Sequence, residues 1–299
     1  MDGGLIVTLV SIAMFAGTFL LGFIPLFFKL SERRLQFVTI LGAGLLCGTA
    51  MAVVIPEGMD LLGETWRASC SDLTSSLNAS DNKHVNSTVT TPSPKFFIGL
   101  ALTLGFILMF VVDQIGSYLS TREHKNQVGI TATLGLVIHA AADGFALGAA
   151  VATDKVTVQV IVFCAVILHK APAACGLVSF LMHAGLQKKY IQGHLLAFSA
   201  AAPILAITSY FILRASGSST QSQFSATGVG MLFSAGTFLY VATVHILPEV
   251  SRTTKPSSEH QQLSEDKDTH QRQLGLLESL TLIAGMGLPL LLALGLNDN

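Results

Sequence analysis

Charged residues are scarce in this chain of 299 amino acids. Lysine, arginine, aspartate and glutamate make up 12% of it, whereas a soluble domain of this size carries about 25%. The formal net charge is only −1, so nothing in the charge balance indicates a nucleic-acid partner. Cysteine is scarce as well, and four residues are too few for a scaffold held by disulfides.

The chain is instead rich in long apolar runs. Hydrophobic residues make up 51% of the chain and its mean hydropathy is +0.62. A helix needs about 20 apolar residues to cross a bilayer, whereas the strands of a membrane barrel would show short alternating segments. The sequence therefore predicts an all-α, polytopic membrane protein with eight transmembrane helices. The predicted spans cover residues 5–28, 37–61, 96–119, 130–152, 157–183, 194–214, 226–249 and 275–296.

The basic residues predict how the chain is oriented in the membrane. Eleven lysines and arginines fall in the odd-numbered loops and five in the even-numbered loops. Because cytoplasmic loops are rich in these residues, both termini are predicted to be extracellular or luminal. The outer loop of residues 62–95 then contains two glycosylation sequons, at Asn78 and Asn86. This loop is predicted to be flexible and glycosylated, and the polar loop of residues 250–274 to be flexible and cytoplasmic.

The second and seventh predicted spans end in similar sequences, LGAGLLCGTAMAVVIPEG and FSAGTFLYVATVHILPEV. The two spans are predicted to run in opposite directions, and such inverted repeats are common in secondary transporters. We therefore predict a 3+2+3 arrangement, in which the fourth and fifth spans lie between two inverted units of three. The identical pairs are Ala43/Ala235, Gly44/Gly236, Ala50/Ala242, Pro56/Pro248 and Glu57/Glu249.

Ionisable side chains interrupt the two central spans. The fourth, TLGLVIHAAADGFALGAAVA, carries His139 and Asp143, which lie on one helix face because they are four residues apart. The fifth, VIVFCAVILHKAPAACGLVSFLM, carries His169 and Lys170. Such residues are costly in a membrane and usually face a bundle interior or an aqueous path. Two imidazoles and a carboxylate suit Zn²⁺, with iron, manganese and cadmium as near competitors. We predict that His139, Asp143 and His169 bind a transported metal ion.

Lys170 does not fit a large cluster of bound cations, because its ammonium cannot ligate a metal while it is protonated. It is predicted to pair with Asp143 or to lose its proton as the metal arrives. A salt bridge between helices, or a position facing a watery cavity, fits the sequence equally well.

Four further ionisable residues are candidates for the transport pathway. Glu57 lies at the outer end of the second span, while His245 and Glu249 lie in the inner part of the seventh. Both glutamates equally fit interfacial carboxylates next to a proline that ends a helix. Asp113, late in the third span, either lines the exit or makes a bond within the bundle.

These residues resemble the ZIP (Zrt/Irt-like) family of zinc transporters, solute carrier family 39. The resemblance covers the whole chain and includes HAAADG, HKAPAA and MLFSAGTFLYVATVHILPE. It implies eight helices with both ends outside, a metal site on the fourth and fifth helices, and Zn²⁺ as the transported substrate. It further implies the Golgi apparatus, the trans-Golgi network and the plasma membrane as locations, and it allows a homodimer.

The chain departs from the family pattern at three positions. Where the family has H-N-x-x-D/E-G on the fourth helix, Ala140 replaces the asparagine. Where it has H-E-x-P-H/E on the fifth, Lys170 and Ala173 replace two ligands. The resemblance therefore implies one metal site made by His139, Asp143 and His169, without the second metal of a binuclear site.

The resulting hypothesis is a carrier that moves Zn²⁺ into the cytosol by alternating access, through an elevator or a rocking motion. We expect gradients to drive it, since the sequence has no ATP-binding motif. Members of one vertebrate subgroup of the family are also discussed as membrane androgen receptors coupled to G proteins, so a steroid and a G protein are alternative partners. An intramembrane metalloenzyme is the third possibility, but the chain lacks an HExxH helix, and we expect no enzyme.

Overall fold

The computed structural model describes residues 3–27, 32–78, 94–119, 124–183, 185–217, 219–246 and 275–297. Within these ranges the chain is helical and forms no strand, so the all-α prediction is confirmed. The helices are α1 (Gly3–Phe27), α2 (Glu32–Thr49), α3 (Ile55–Asn78), α4 (Pro94–Leu119), α5 (His124–Ala152), α6 (Val156–His183), α7 (Lys188–Ala215), α8 (Thr220–Tyr240) and α9 (Leu276–Asn297).

Seven helical stretches within the described ranges are long and apolar enough to cross a membrane. They are Gly3–Phe27, Gln36–Arg67, Lys95–Gly116, Thr133–Ala152, Val156–Met182, Lys188–Ala215 and Thr220–Val244. The last helix, α9, contains the shorter apolar stretch Leu276–Leu291. Large apolar side chains on the outside of the bundle, such as Leu20 at 66% and Leu291 at 71% exposure, suit a lipid environment. The chain is therefore a multi-pass membrane protein.

One helix continues at the point where a proline was predicted as its possible end. α2 leads into α3 through a π-helical turn, Ala50–Val54. Pro56 has no N–H to donate, and its ring would collide with the carbonyl of residue 52 in a regular α-helix. The wider spacing of a π turn accommodates such a residue. The helix therefore runs past Pro56, and Glu57 lies inside it rather than beside its end.

The helix also extends into the predicted outer loop of residues 62–95, so the start of that loop was predicted too early. The helical residues include Leu62, which packs against α4 and α8. Trp66 contacts the ring of Phe97 in α4, with 5.8 Å between the ring centroids. These apolar contacts hold the start of this helical extension against the bundle, and the helix ends at Asn78.

Several predicted features lie outside the residues that the structure describes. They are the side chains of Asn78 and His245, the second sequon at Asn86, residue Glu249 and the loop of residues 250–274.

The helices pack in pairs that correspond to one another across the two halves of the chain. α2 packs against α9, and its counterpart α8 packs against α4. In the same way, the contact of α1 with α6 matches that of α7 with α5, and α2 with α6 matches α8 with α5. The second π turn, Val241–Ile246, follows α8 as the first follows α2.

The two halves of the chain also correspond in the places where a glycine of one helix lies against the backbone of the facing helix. Among the glycines whose Cβ would collide with a backbone carbonyl of the facing helix, four form two matching sets, and only glycine allows these helices to lie so close. The glycine and carbonyl pairs are Gly44 and Leu282, Gly236 and Leu102, Gly285 and Leu41, and Gly105 and Phe233. Gly44 aligns with Gly236, and Leu41 with Phe233, in the repeat read from the sequence.

The described helices form two bundles. The first, here called the site bundle, consists of α1, α5, α6 and α7, which pack on one another. The second, here called the frame bundle, consists of α2 with α3, α4, α8 and α9. The bundles meet where α5 packs against α8 and α4 and where α6 packs against α2.

Candidate metal centre

Three predicted ligands lie together at the interface of the two bundles. His139 and Asp143 belong to α5, His169 belongs to α6, and each is only 2% exposed. Their potential ligand atoms all lie within 4.8 Å of one another. In the described part of the chain, this is the one group of three or more histidine, cysteine or acidic side chains placed to hold a metal ion.

Within this group, both imidazoles lie close to the same carboxylate oxygen. Oδ2 of Asp143 lies 2.8 Å from Nε2 of His169 and 3.3 Å from Nε2 of His139. The four-residue spacing on α5 brings His139 and Asp143 together. The packing of α5 against α6 places His169 beside them. Two imidazole nitrogens and a carboxylate oxygen are a ligand set that binds zinc and leaves a coordination position open.

Small residues hold α5 against α7 and thereby position the ligands. A Cβ at Gly144 would collide with the backbone of Ala202, and one at Gly148 would collide with Ala206. Both glycines follow Asp143 on α5. This helix is therefore packed closely against α7 at and just beyond the ligands. A larger residue at either glycine would push α5 away from α7 and would move the two ligands of α5 relative to His169 on α6.

Two hydroxyl groups of α8 complete the site, and the sequence analysis missed both. Ser234 donates a hydrogen bond to Oδ1 of Asp143. Nδ1 of His139 lies 3.1 Å from both the hydroxyl oxygen of Ser234 and that of Thr237. Thr237 donates in turn to the carbonyl of Ser234 at 2.6 Å. The signal that indicates them is FSAGTFLY, which places two hydroxyls three residues apart on one helix face.

An aromatic ring forms one wall of the site. The ring centroid of Phe238 lies 4.5 Å from that of His139 and 5.5 Å from that of His169. Ala50, the first residue of a π turn, and Ala235 also line the small cavity beside the histidines. These apolar neighbours shield the three ligands from bulk water.

The profile of the ZIP zinc transporter family matches residues 5–129 and 123–293 of this chain. The chain belongs to the ZIP family of zinc transporters. It is 45% identical to the zinc transporter ZIP9 of Xenopus tropicalis over 313 residues, which covers 99% of both chains. It is 46% identical to ZIP9-A of Xenopus laevis over 315 residues and 44% identical to ZIP9 of Micropogonias undulatus over 316 residues, again across 99% of each chain.

These matches confirm the resemblance to the ZIP family, and the relatives named here are ZIP9 proteins of vertebrates. Members of the ZIP family are zinc transporters. Membership of this family therefore implies that zinc is the transported substrate and that the activity is transport rather than catalysis. The His–Asp–His group supplies ligands that suit this substrate.

Lys170 replaces a glutamate of the ZIP pattern, and its side chain is fully buried. Its Nζ lies over the ring of Phe198 on α7, 4.7 Å from the ring centroid. Within the described residues, Nζ has no hydrogen-bond partner and forms no ion pair with Asp143. The amine therefore faces an aromatic ring of the site bundle.

Glu57 and Asp113, two further predicted pathway residues, are not part of the three-ligand group. Glu57 is half-buried on α3, about two helical turns beyond Ala50. Asp113 on α4 accepts a hydrogen bond of 2.9 Å from the hydroxyl of Tyr240, which ties α4 to α8. The bond that was predicted as an alternative for Asp113 is therefore present.

Proposed function

We propose that this ZIP protein carries Zn²⁺ from the extracellular space or the Golgi lumen into the cytosol by alternating access. The observation that supports this most directly is the position of His139, Asp143 and His169. The three ligands are buried, lie on adjacent helices and sit at the interface between two bundles. A relative motion of the bundles would expose such a site first to one side of the membrane and then to the other.

The membrane topology is part of the same proposal. Eight spans in a 3+2+3 arrangement, with both termini outside, agree with the bias of basic residues toward the odd-numbered loops. The matched glycine contacts of α2 with α9 and of α8 with α4 support an inverted repeat. Glycosylation at Asn78 and Asn86 and a location in the Golgi apparatus, the trans-Golgi network and the plasma membrane follow from this topology and from the family.

The pathway is proposed to run along the bundle interface. Zn²⁺ enters past Glu57, binds at the midplane centre, and leaves past His245 and Glu249. Asp113, held by Tyr240, stands at the inner end of this path. The motion is an elevator or a rocking movement of the site bundle against the frame bundle. The steroid, G-protein and homodimer partners stay predictions of the resemblance, because no contact among the described residues tests them.

The test is uptake of ⁶⁵Zn²⁺ by cells that express each variant at matched surface levels. We expect His139→Ala, Asp143→Asn and His169→Ala each to lower uptake at least ten-fold, since each removes one of three ligands. The matched control is His194→Ala, which removes a half-buried histidine of α7 outside the centre and should leave uptake unchanged. If the three ligand variants transport zinc as the wild type does, the proposed centre is wrong.

A further inference from the structure

The hydroxyl protons of α8 determine which nitrogen of His139 carries a proton. Ser234 has one proton, which goes to the carboxylate of Asp143, because a carboxylate only accepts. Thr237 also has one proton, which goes to the carbonyl of Ser234. Both hydroxyl oxygens can therefore only accept from Nδ1 of His139, which lies 3.1 Å from each. Nδ1 must carry the proton, and Nε2 must carry the lone pair.

This arrangement turns the ligand atoms of α5 toward one point. Nε2 of His139 is buried and has no hydrogen-bond partner among the described residues. Because Ser234 binds Oδ1 of Asp143, the other oxygen, Oδ2, faces the two imidazoles. Histidines that bind metals commonly donate their second nitrogen to a fixed acceptor, which sets the tautomer and the orientation of the ring.

The opposite ligand lacks such support. Nδ1 of His169 is buried and has no hydrogen-bond partner in the part of the chain that the structure describes. α6, which carries His169, packs against α2, the repeat counterpart of α8. In the repeat alignment, Gly42 and Leu45 of α2 take the positions of Ser234 and Thr237, and neither has a hydroxyl. Among the described residues, hydrogen bonds to the centre therefore come from α8 and not from the matching positions of α2.

We infer that Ser234 and Thr237 are positioning residues of the zinc site, which the frame bundle supplies to ligands on the site bundle. They hold Asp143 and His139 in the orientation that binds the ion. The inference rests on the proposed function, because the ion concerned is the transported zinc.

The location of the two residues makes this support depend on the conformation of the protein. The hydrogen bonds cross from α8 to α5 and require distances near 3 Å. A displacement of the site bundle by even one helical turn, about 5.4 Å, would break them. Zinc is then held more weakly once α5 has moved away from α8, which favours its release on the far side.

The test measures Zn²⁺ binding to the purified full chain in detergent by competition with a fluorescent chelator. We expect Thr237→Val and Ser234→Ala each to weaken binding by about ten-fold, the lower end of the range for residues that orient metal ligands. Thr237→Ser keeps the hydroxyl and should bind as the wild type does. The control Thr227→Val removes a buried hydroxyl of the same helix, whose one hydrogen bond among the described residues is to the carbonyl of Gln223, and it should have no effect.

A second measurement follows the tautomer of His139 directly. ¹⁵N spectra of histidine-labelled protein, assigned with His139→Ala, should show Nδ1 protonated in the wild type. In the double variant Ser234→Ala/Thr237→Val, which removes both acceptors of Nδ1, this signal should move toward a mixture of tautomers, whereas a merely structural change would leave it in place.

The outcomes separate the inference from the proposed function. If His139→Ala abolishes zinc binding while Ser234→Ala and Thr237→Val bind normally, the positioning role is wrong and the metal centre stands. An equal loss in Thr227→Val would also overturn the positioning role, because the effect would then be a general one. If the wild type binds no zinc, or if His139→Ala binds as the wild type does, the proposed function itself fails.

Discussion

The ammonium of Lys170 follows a predicted zinc ligand in the sequence, yet its contact is the ring of Phe198. The lysine is fully buried, so its positive charge is poorly screened and acts on the neighbouring metal centre. While it is protonated, Lys170 opposes the binding of a dication at this neighbouring site. In a carrier this is useful, because a site that binds zinc too strongly does not release it.

We expect Lys170→Met to strengthen zinc binding and to slow transport. Methionine is of similar length and keeps the contact with the aromatic ring while removing the charge. Measured as ⁶⁵Zn²⁺ uptake over a range of concentrations, both KM and the maximal rate should fall, KM by about ten-fold or more on simple Coulomb grounds.

Lys155→Met is the matched control for this variant. Nζ of Lys155 also lies 4.7 Å from the centroid of an aromatic ring, that of Phe224, but on the exposed turn between α5 and α6. Its loss should change neither quantity. A rise in KM for Lys170→Met would mean that the charge supports binding, contrary to this prediction.

The sequence was informative about some residues of the site and silent about others. His139, Asp143 and His169 could be found because ionisable groups are rare in a membrane span and need a partner. Ser234 and Thr237 could not, because hydroxyls are common in spans, where they usually bond a backbone carbonyl of their own helix, as Thr208 does. Only the packing of α8 on α5 distinguishes them.

At the scale of helices, glycine determines how closely the repeated elements pack. Gly44 and Gly236 occupy matching positions, and each touches a carbonyl of the facing helix where a Cβ would collide with backbone. Backbone cannot move as a side-chain end can, so a methyl group at either position must push two helices apart.

We therefore expect Gly44→Ala and Gly236→Ala to destabilise the protein to a similar extent. Overpacking of this kind costs about 1–3 kcal/mol, and the apparent Tm of the purified protein in detergent should fall by several degrees. The control is Gly99→Ala on α4, where a Cβ would meet nothing within 4 Å. If only one of the two variants is destabilised, the contacts of the two halves are not energetically equivalent.

Apolar length predicted most of the helices, but it did not predict where every helix ends. The third span, expected at residues 96–119, matches α4, Pro94–Leu119, because its ends coincide with the ends of the apolar run. The second span, expected at residues 37–61, was predicted to end too early, because the helix continues past it to Asn78. The alternative that a helix ends at Pro56 was also wrong, since the π turn that accommodates this proline leaves no mark in the composition. The part of α3 beyond residue 61 was assigned to the loop of residues 62–95 because that stretch is rich in serine, threonine and asparagine and has little to bury.

At the scale of the molecule, the interface between the two bundles is where transport must act. The ligands belong to the site bundle, while the hydroxyls that orient them belong to the frame bundle. The sequence predicted the spans but not this division, because which spans share a bundle depends on contacts between distant segments. α1, for example, packs with α6 and α7 rather than with α2.

A disulfide across this interface should stop transport. The Cβ atom of Ala146 on α5 lies 3.3 Å from an ideal Cβ built on Gly230 of α8, close enough for a disulfide after a small adjustment. In a background without the natural cysteines, we expect Gly230→Cys with Ala146→Cys to abolish ⁶⁵Zn²⁺ uptake under oxidation. Reduction should restore it, because either an elevator or a rocking motion requires α5 to move against α8.

The control disulfide lies within the site bundle, between Gly22→Cys and Ala174→Cys. Their Cβ atoms would be 3.2 Å apart, on α1 and α6. Since these helices are expected to move together, the oxidised control should still transport zinc. If the interface disulfide forms fully and transport continues, then α5 does not separate from α8 during the cycle. In that case the centre releases zinc without a bundle motion, and the hydrogen bonds from Ser234 and Thr237 persist throughout the cycle.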